Sequence, residues 1–323
     1  DDDKTNSKRK IKDNLENLEK IKKPKNTFSS SSSIMGKTPS SKDKINVIVQ
    51  LNEGQKSLIN KIKKVRSKFQ KIYAWVADSY FKEGYTEATR LYDKIAVTDE
   101  ADAAWITERY GVQTTTVRQG VDTLAARPHQ GMMRSIDVIG FGRTPIRFHA
   151  ALQQRFHRPN QPYLYLHSPI GNLSGPTIET ERHMLLKTLQ RSRFSLAFNM
   201  YCNPEMTRPK SMMVTTRWLE SLAAGCVVVG KRPISKMADE MLFWPEATTE
   251  LPDDPDDAAD FLLDLCKKGD SEFMEVRDRN IRNMAQHHDI RSRIVDLLTA
   301  FEIDIPGTLQ RDVQSLNWHA SGL

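Results

Sequence analysis

Residues 192–233 constrain the fold more than any other stretch of this chain. Two apolar runs, Phe194-Ser195-Leu196-Ala197-Phe198 and Cys226-Val227-Val228-Val229, flank a polar loop and the segment Trp218-Leu219-Glu220-Ser221-Leu222-Ala223-Ala224-Gly225. The runs are short and largely apolar, the pattern of parallel strands buried on both faces. The segment between them reads as a short helix that stops at Gly225, because glycine readily takes the left-handed conformation that ends helices. Strand, helix and parallel strand within about forty residues place the chain in the α/β class.

The rest of the sequence extends this alternation. Strands are expected over 45–50, 72–77, 94–98, 112–117, 135–141, 163–167 and 194–199. Helices are expected over 54–69, 85–91, 100–110, 146–156, 179–190, 235–242, 255–268, 271–288 and 290–301. A turn at Gln119-Gly120-Val121-Asp122 and a Pro- and Gly-containing linker over 123–134 divide the pattern. The expected organisation is a short first Rossmann-like domain over 45–122, a second domain over 135–303 and a tail over 304–323.

Residues 1–44 differ in composition and are expected to be a flexible basic extension. The net charge of +7 is unevenly spread. Residues 1–71 carry nineteen Lys and Arg against eight acids, a net of +11, and the remainder carries 29 against 33, a net of −4. The basic pI therefore belongs to a lysine-rich front and does not itself mark a nucleic-acid-binding domain. That front reads first as a solvated arm, with an anionic membrane surface or an acidic partner as the sharper alternative. Asp1-Asp2-Asp3-Lys4 also reads as the remnant of a cleavable tag. No run of eighteen apolar residues occurs, and the first residues lack the apolar stretch of a secretory signal, so a cytoplasmic, at most membrane-peripheral, protein is expected. Cys202, Cys226 and Cys266 are too few and too scattered for a disulfide framework or a zinc site.

The element Arg217-Trp218-Leu219-Glu220-Ser221-Leu222-Ala223-Ala224-Gly225-Cys226-Val227-Val228-Val229, with the strand and loop before it, resembles the donor-binding half of GT-B glycosyltransferases. The likeness is to the group-1-like bacterial branch that includes CgeB-type proteins, and it runs roughly from residue 71 to residue 303. It implies two Rossmann-like domains with parallel sheets facing each other across a cleft. It also implies a nucleotide sugar held mainly by the second domain, and a metal-independent transfer with no cofactor beyond the donor. The first domain has fewer strands than the family usually shows.

Candidate residues follow from the rule that ligands in open α/β sheets sit beyond the carboxyl ends of strands. Gly140, Gly142 and Arg143 follow one strand; the glycines allow close backbone approach and the arginine can clamp a diphosphate. Asn199, Asn203, Glu205 and Lys210 follow another. Thr215, Thr216 and Arg217 stand at a helix N-terminus, which supplies N–H donors to an anion. Glu220, one turn further on, is a natural acceptor for the vicinal hydroxyls of a ribose. This is also the role that the resemblance implies for it. The family's second glutamate would stand at Met212, so a retaining mechanism is not carried over. Asp78 is the candidate general base for an inverting transfer, with His149 and His167 as further candidates.

The expected function is transfer of a sugar from a nucleoside diphosphate to an unidentified acceptor in polysaccharide or glycoconjugate synthesis, a hexosyltransferase-type reaction. Two rivals stand beside it. One is a non-catalytic binding or scaffold module that keeps the donor fold. The other is a transferase acting on nucleic acid through the lysine-rich front, which the scarcity of aromatics in that segment disfavours.

Overall fold

Short apolar runs separated by polar helical segments leave the chain one economical solution, parallel strands joined by crossover helices. The computed structural model describes residues 47–51, 63, 66–77, 79, 84–142, 144–168, 178–199 and 212–321. The basic extension and most of the helix expected over 54–69 lie outside the described residues. Two compact units are present, divided between Thr116 and Val117.

In the first unit β1 (Val47–Leu51), β2 (Ile72–Val76), β3 (Lys94–Val97) and β4 (Gln113–Thr116) form a parallel sheet in the order of the sequence. Every side chain of β2 is buried, and Ile72, Val76, Ile95, Ile106 and Tyr110 belong to one core. Helix α1 (Glu100–Tyr110) starts at Asp99, whose carboxylate accepts the Ala101 N–H at 2.9 Å, and stops at left-handed Gly111. These are the N-cap and C-cap signals the sequence carries there. The helix expected over 85–91 is instead a 3-10 turn, Glu87–Leu91, opened by the Thr86 hydroxyl. Tyr92 is already extended and its N–H returns to the Thr89 carbonyl three residues back, so the segment closes as a 3-10 turn before an α-helical turn can repeat.

The second unit contains β5 (Ile136–Phe141), β6 (Tyr165–Ser168), β7 (Ser192–Phe198), β8 (Val227–Lys231) and β9 (Thr249–Glu250). All are parallel, in the spatial order β6-β5-β7-β8-β9. On one face lie α3 (Ile146–Phe156) and α7 (Pro255–Lys267), whose Phe148, Leu152, Phe156 and Leu262 share a core with Phe194, Leu196 and Val229. On the other face α4 (Ile178–Gln190) contributes Leu185 and Leu189, packed with Ile139, Phe141, Ala224 and Cys226. Helix α5 (Thr216–Ala223) packs against α4, and both pack on β7.

The interdomain segment differs from expectation. Val121 is bridged to Asp289, and residues expected to begin a linker form a short helix, α2 (Thr123–Ala126). Asp289 is fully buried and accepts the Thr123 N–H at 3.1 Å, the Thr123 hydroxyl at 2.5 Å and the Arg291 N–H at 2.8 Å. The Gln190 amide donates to the carbonyls of Ala125, Ala126 and Arg127 at 3.0–3.1 Å. These bonds satisfy backbone groups that a free linker would leave to water. The turn through Asp122 and this helix therefore belong to the second unit. The expected tail over 304–323 is likewise helical in α10 (Gly307–Ser321), packed on α8 (Met274–His287) and α9 (Ile290–Ala300). Helix α6 (Lys236–Met241) is capped by the Ser235 hydroxyl, as the helix expected there requires.

His288, beside this junction, gives the fold a pH dependence. Burial, helped by Arg293 and His287, pushes its imidazole down to about 3, and its Nδ1 lies 3.1 Å from the Arg293 guanidinium. The unfolded chain takes up a proton below the ordinary value near 6.5 that the folded chain refuses until about 3. Stability from this group is thus complete above that upper value and is lost as pH falls, by at most about 1.4 kcal/mol per unit. Urea midpoints measured between pH 7 and pH 5 are expected to fall less steeply for His288→Gln than for the parent chain. Equal slopes would place the acid sensitivity elsewhere.

Candidate active site

The strand order of the second sheet fixes where a ligand can enter. From β5 the chain passes to β6 on one side and then crosses to β7 on the other. At such a switch point the connections leave in opposite directions and open a crevice at the strands' carboxyl ends. The residues there are Gly142, just past β5, and Asn199, just past β7.

Helix α5 carries Arg217 into this region. Trp218, Leu219, Glu220, Ser221, Leu222 and Ala223 are all buried, and Trp218 Nε1 donates to the Thr248 hydroxyl at 3.0 Å. Ser221 and Ser195 of β7 share a hydrogen bond of 2.7 Å. A helix gripped on so many sides holds its N-terminus in a defined place. The Arg217 guanidinium lies 5.7 Å from the Phe141 ring centroid. It also fills the space that a Cβ would need at Gly142, whose φ is +67°. A glycine is therefore required twice over, by backbone conformation and by the guanidinium against it.

The N-terminus of α5 has no acid in its first turn, and Thr215 makes no side-chain cap bond. Helix N–H groups and Arg217 thus present the same sign of charge, an arrangement suited to an anion. Thr216 is exposed beside them.

Glu220 lies one turn inside, only 3% exposed. Its Oε1 accepts from Arg182 Nη1 of α4. Burial pushes the Glu220 carboxyl above the ordinary carboxylate range, against the pull of Arg182 and Arg217. The two guanidinium groups thus oppose the desolvation penalty on its charge.

The remaining expectations divide clearly. Asn199 is at the end of β7, where its amide donates to the Arg232 carbonyl at 3.1 Å and its backbone N–H to Lys231 at 2.9 Å. It helps tie together the ends of β7 and β8. Asp78, Arg143, Glu205 and Lys210 lie outside the described residues, as does Asn203. Gly140 packs beneath Tyr165, whose hydroxyl would lie 3.1 Å from an added Cβ. That hydroxyl is 3.0 Å from His149 Nδ1, and the His149 and His167 rings are 4.0 Å apart. Burial lowers the pKa of both histidines, with His167 adding to the effect on His149. Met212, at the position of the family's second glutamate, receives the Ser235 hydroxyl on its carbonyl at 2.7 Å. Sequence reasoning missed Arg182, since an arginine in mid-helix carries no sign of the carboxylate it meets.

Residues 143–299 match the family described as glycosyl transferase-like. Arg217 and Glu220 both fall inside the match, which begins directly after Gly142. Among solved structures, a TarM mutant of S. aureus, in complex with fondaparinux, alpha-GlcNAc-glycerol and UDP, is 12% identical with a TM-score of 0.51. That alignment covers 78% of this chain and 55% of TarM. The pneumococcal O-GlcNAc transferase GtfA, in complex with UDP and GlcNAc, is 12% identical over 74% of this chain and 54% of its own, with a TM-score of 0.40. A glycosyltransferase from Rickettsia africae is 9% identical over 80% of this chain and 98% of its own, with a TM-score of 0.42. No curated protein matches the sequence significantly.

The chain spans little more than half the length of TarM and GtfA. The similarity to TarM concerns fold: α/β units with parallel sheets of the GT-B glycosyltransferase type. The glycosyl transferase-like match lies within the second unit. Among the described residues, no helix is long and apolar enough to cross a membrane.

Proposed function

We propose that this chain is a GT-B glycosyltransferase, hexosyltransferase in type, which takes a sugar from a nucleoside diphosphate and passes it to an acceptor in bacterial polysaccharide or glycoconjugate synthesis. The observation that carries this reading is the placement of Arg217 and Glu220 on one rigid helix at the switch point of a glycosyl transferase-like unit. Arg217 and the N–H groups of α5 meet the diphosphate, with Thr215 and Thr216 at the helix start. Glu220 accepts the ribose hydroxyls. The likeness of residues 217–229 to CgeB-type proteins supports a bacterial branch, and UDP in the TarM complex makes it the first nucleotide to try.

In this reading the departing diphosphate is stabilised by charge fixed before the reaction, which needs no reorganisation as the bond breaks. Arg143 and Lys210, assigned from sequence, add to that charge, while Asn199 and Glu205 border the donor. Asp78 is the base that takes the acceptor proton. No cofactor or metal enters the scheme, so turnover is expected to survive a chelator. The lysine-rich front of this cytoplasmic enzyme is read first as a solvated arm, with an anionic membrane surface or an acidic partner as the sharper alternative.

The deciding experiment is calorimetric titration with UDP, GDP and their common sugar conjugates, followed by release of the sugar from the conjugate that binds. Binding with turnover supports the transferase. The absence of any nucleotide binding by folded protein overturns it. Binding without turnover favours a donor-fold binding module, a reading that Met212 at the second glutamate position also favours.

Gly142→Ala tests the placement of Arg217. The methyl group strains a left-handed residue and displaces the guanidinium, so affinity for the bound nucleoside diphosphate is expected to fall about tenfold, roughly 1.4 kcal/mol. An unchanged dissociation constant would remove Arg217 from the diphosphate site.

A further inference from the structure

We propose that Arg182 on α4 is a positioning residue of the nucleotide site, one that fixes the charge and orientation of the Glu220 carboxylate so that a ribose can bond to it. The inference rests on the reading that Glu220 meets the ribose, and adds to it a residue that neither the family pattern nor the sequence singles out.

Glu220 and Arg182 are 38 positions apart, on helices that pack together. The carboxylate is nearly out of water, whereas the Arg182 side chain is 43% exposed. The pair is therefore asymmetric: the acid pays for desolvation, and the arginine keeps much of its hydration. A buried carboxylate with no partner takes up a proton more readily and then presents a donor where it had only acceptors. Burial is the largest influence on Glu220 and favours the neutral acid. The charged groups that oppose it come from two elements, Arg182 from α4 and Arg217 from α5. Facing α5, β7 contributes the hydroxyl of Ser195, already bonded to Ser221.

The contact also sets direction. Arg182 Nη1 takes Oε1 of Glu220, and a carboxylate has roughly four lone-pair sites over its two oxygens. Among the described residues no other donor meets this carboxylate, so Oε2 and the unused side of Oε1 are left to accept a vicinal diol. If Arg217 is committed to the diphosphate, as proposed above, Arg182 is the cation left among the described residues to hold this acid in its charged form. The sign follows directly. Ribose recognition is present above the Glu220 pKa and is lost as pH falls through it, so removing Arg182 moves that loss to higher pH.

The test compares UDP with 2′,3′-dideoxy-UDP, and GDP with its dideoxy form, across pH 5 to 9. The ratio of the two affinities reports the ribose contact alone, because titration of the phosphate cancels. In the parent chain the ribonucleotide is expected to bind about 10- to 150-fold tighter at neutral pH. In R182Q the preference is expected to shrink at pH 7, and its loss to begin at higher pH than in the parent. The dideoxy affinity should stay within about twofold of the parent. R182K keeps a cation but loses the planar fork, and its midpoint is expected between the other two. If R182Q does not fold, the R182K midpoint carries the test. A preference whose size and pH midpoint are unchanged in these variants overturns the role of Arg182 while leaving the nucleotide site intact. A parent chain that binds neither nucleotide overturns the nucleotide reading itself. One that binds both sugar forms equally removes the ribose from Glu220.

Discussion

Gly230→Ala is expected to cost the second unit more than about 4 kcal/mol, a loss confined to mutations that break a core or a backbone contact. Gly230 lies in β8 at φ +156°, paired with Ala197 of β7. A Cβ there would overlap the carbonyl of Ala197, a backbone group in a strand whose side chains are all buried. No flexible side chain can swing aside, so the two central strands of the sheet must separate. Because domains are held by only about 5–15 kcal/mol, the expected result is a large drop in the urea midpoint or failure to accumulate as folded protein. The same step would loosen Asn199, Lys231 and Arg232, which tie the carboxyl ends of β7 and β8. A variant melting within about 1 kcal/mol of the parent would show that β7 and β8 do not approach this closely.

That glycine marks the limit of what the sequence discloses. The run Cys226-Val227-Val228-Val229 announces a buried strand, because apolar periodicity reports burial directly. Nothing in it says that the next residue must lack a side chain, since that depends on the carbonyl of a neighbouring strand. The candidate site divides in the same way. Gly142, Arg217 and Glu220 were legible because strand ends and helix starts are written locally, in a glycine after a strand and polar residues before a helix. Arg182 was not, because its meaning comes from packing α4 on α5. The first residues of the expected linker, which form α2, show the same limit. The anchor of α2 is Asp289, 166 positions from Thr123, and the Pro and Gly of that stretch gave only the local half of the picture. The C-terminal helix α10 was missed where the sequence offered a polar stretch with few apolar residues, which helices α8 and α9 nevertheless support.

Glu220→Gln is expected to weaken binding of the ribonucleotide by about 10- to 150-fold and to leave the fold in place. A hydrogen bond to a charged group contributes roughly 1.5–3 kcal/mol, and each 1.4 kcal/mol is a factor of ten in affinity. The amide has nearly the same shape as the carboxylate and keeps one acceptor, but it presents a donor where the second ribose hydroxyl needs an acceptor. The folded chain tolerates the change because burial already disfavours the charge on Glu220. Its partner Arg182 is exposed enough to regain water. Stability is therefore expected to change by less than about 1 kcal/mol, in contrast to Gly230→Ala. The comparison separates the two functions of this region. One central glycine lets the sheet close, and the role proposed for the buried acid is to meet a ribose beyond the carboxyl ends of the strands. Calorimetry on the parent and the variant, with UDP and GDP each set against its 2′,3′-dideoxy form, gives the answer. An equal loss for both sugar forms would mean that Glu220 shapes the site without touching the ribose, and no loss for either would place the nucleotide elsewhere on the second unit.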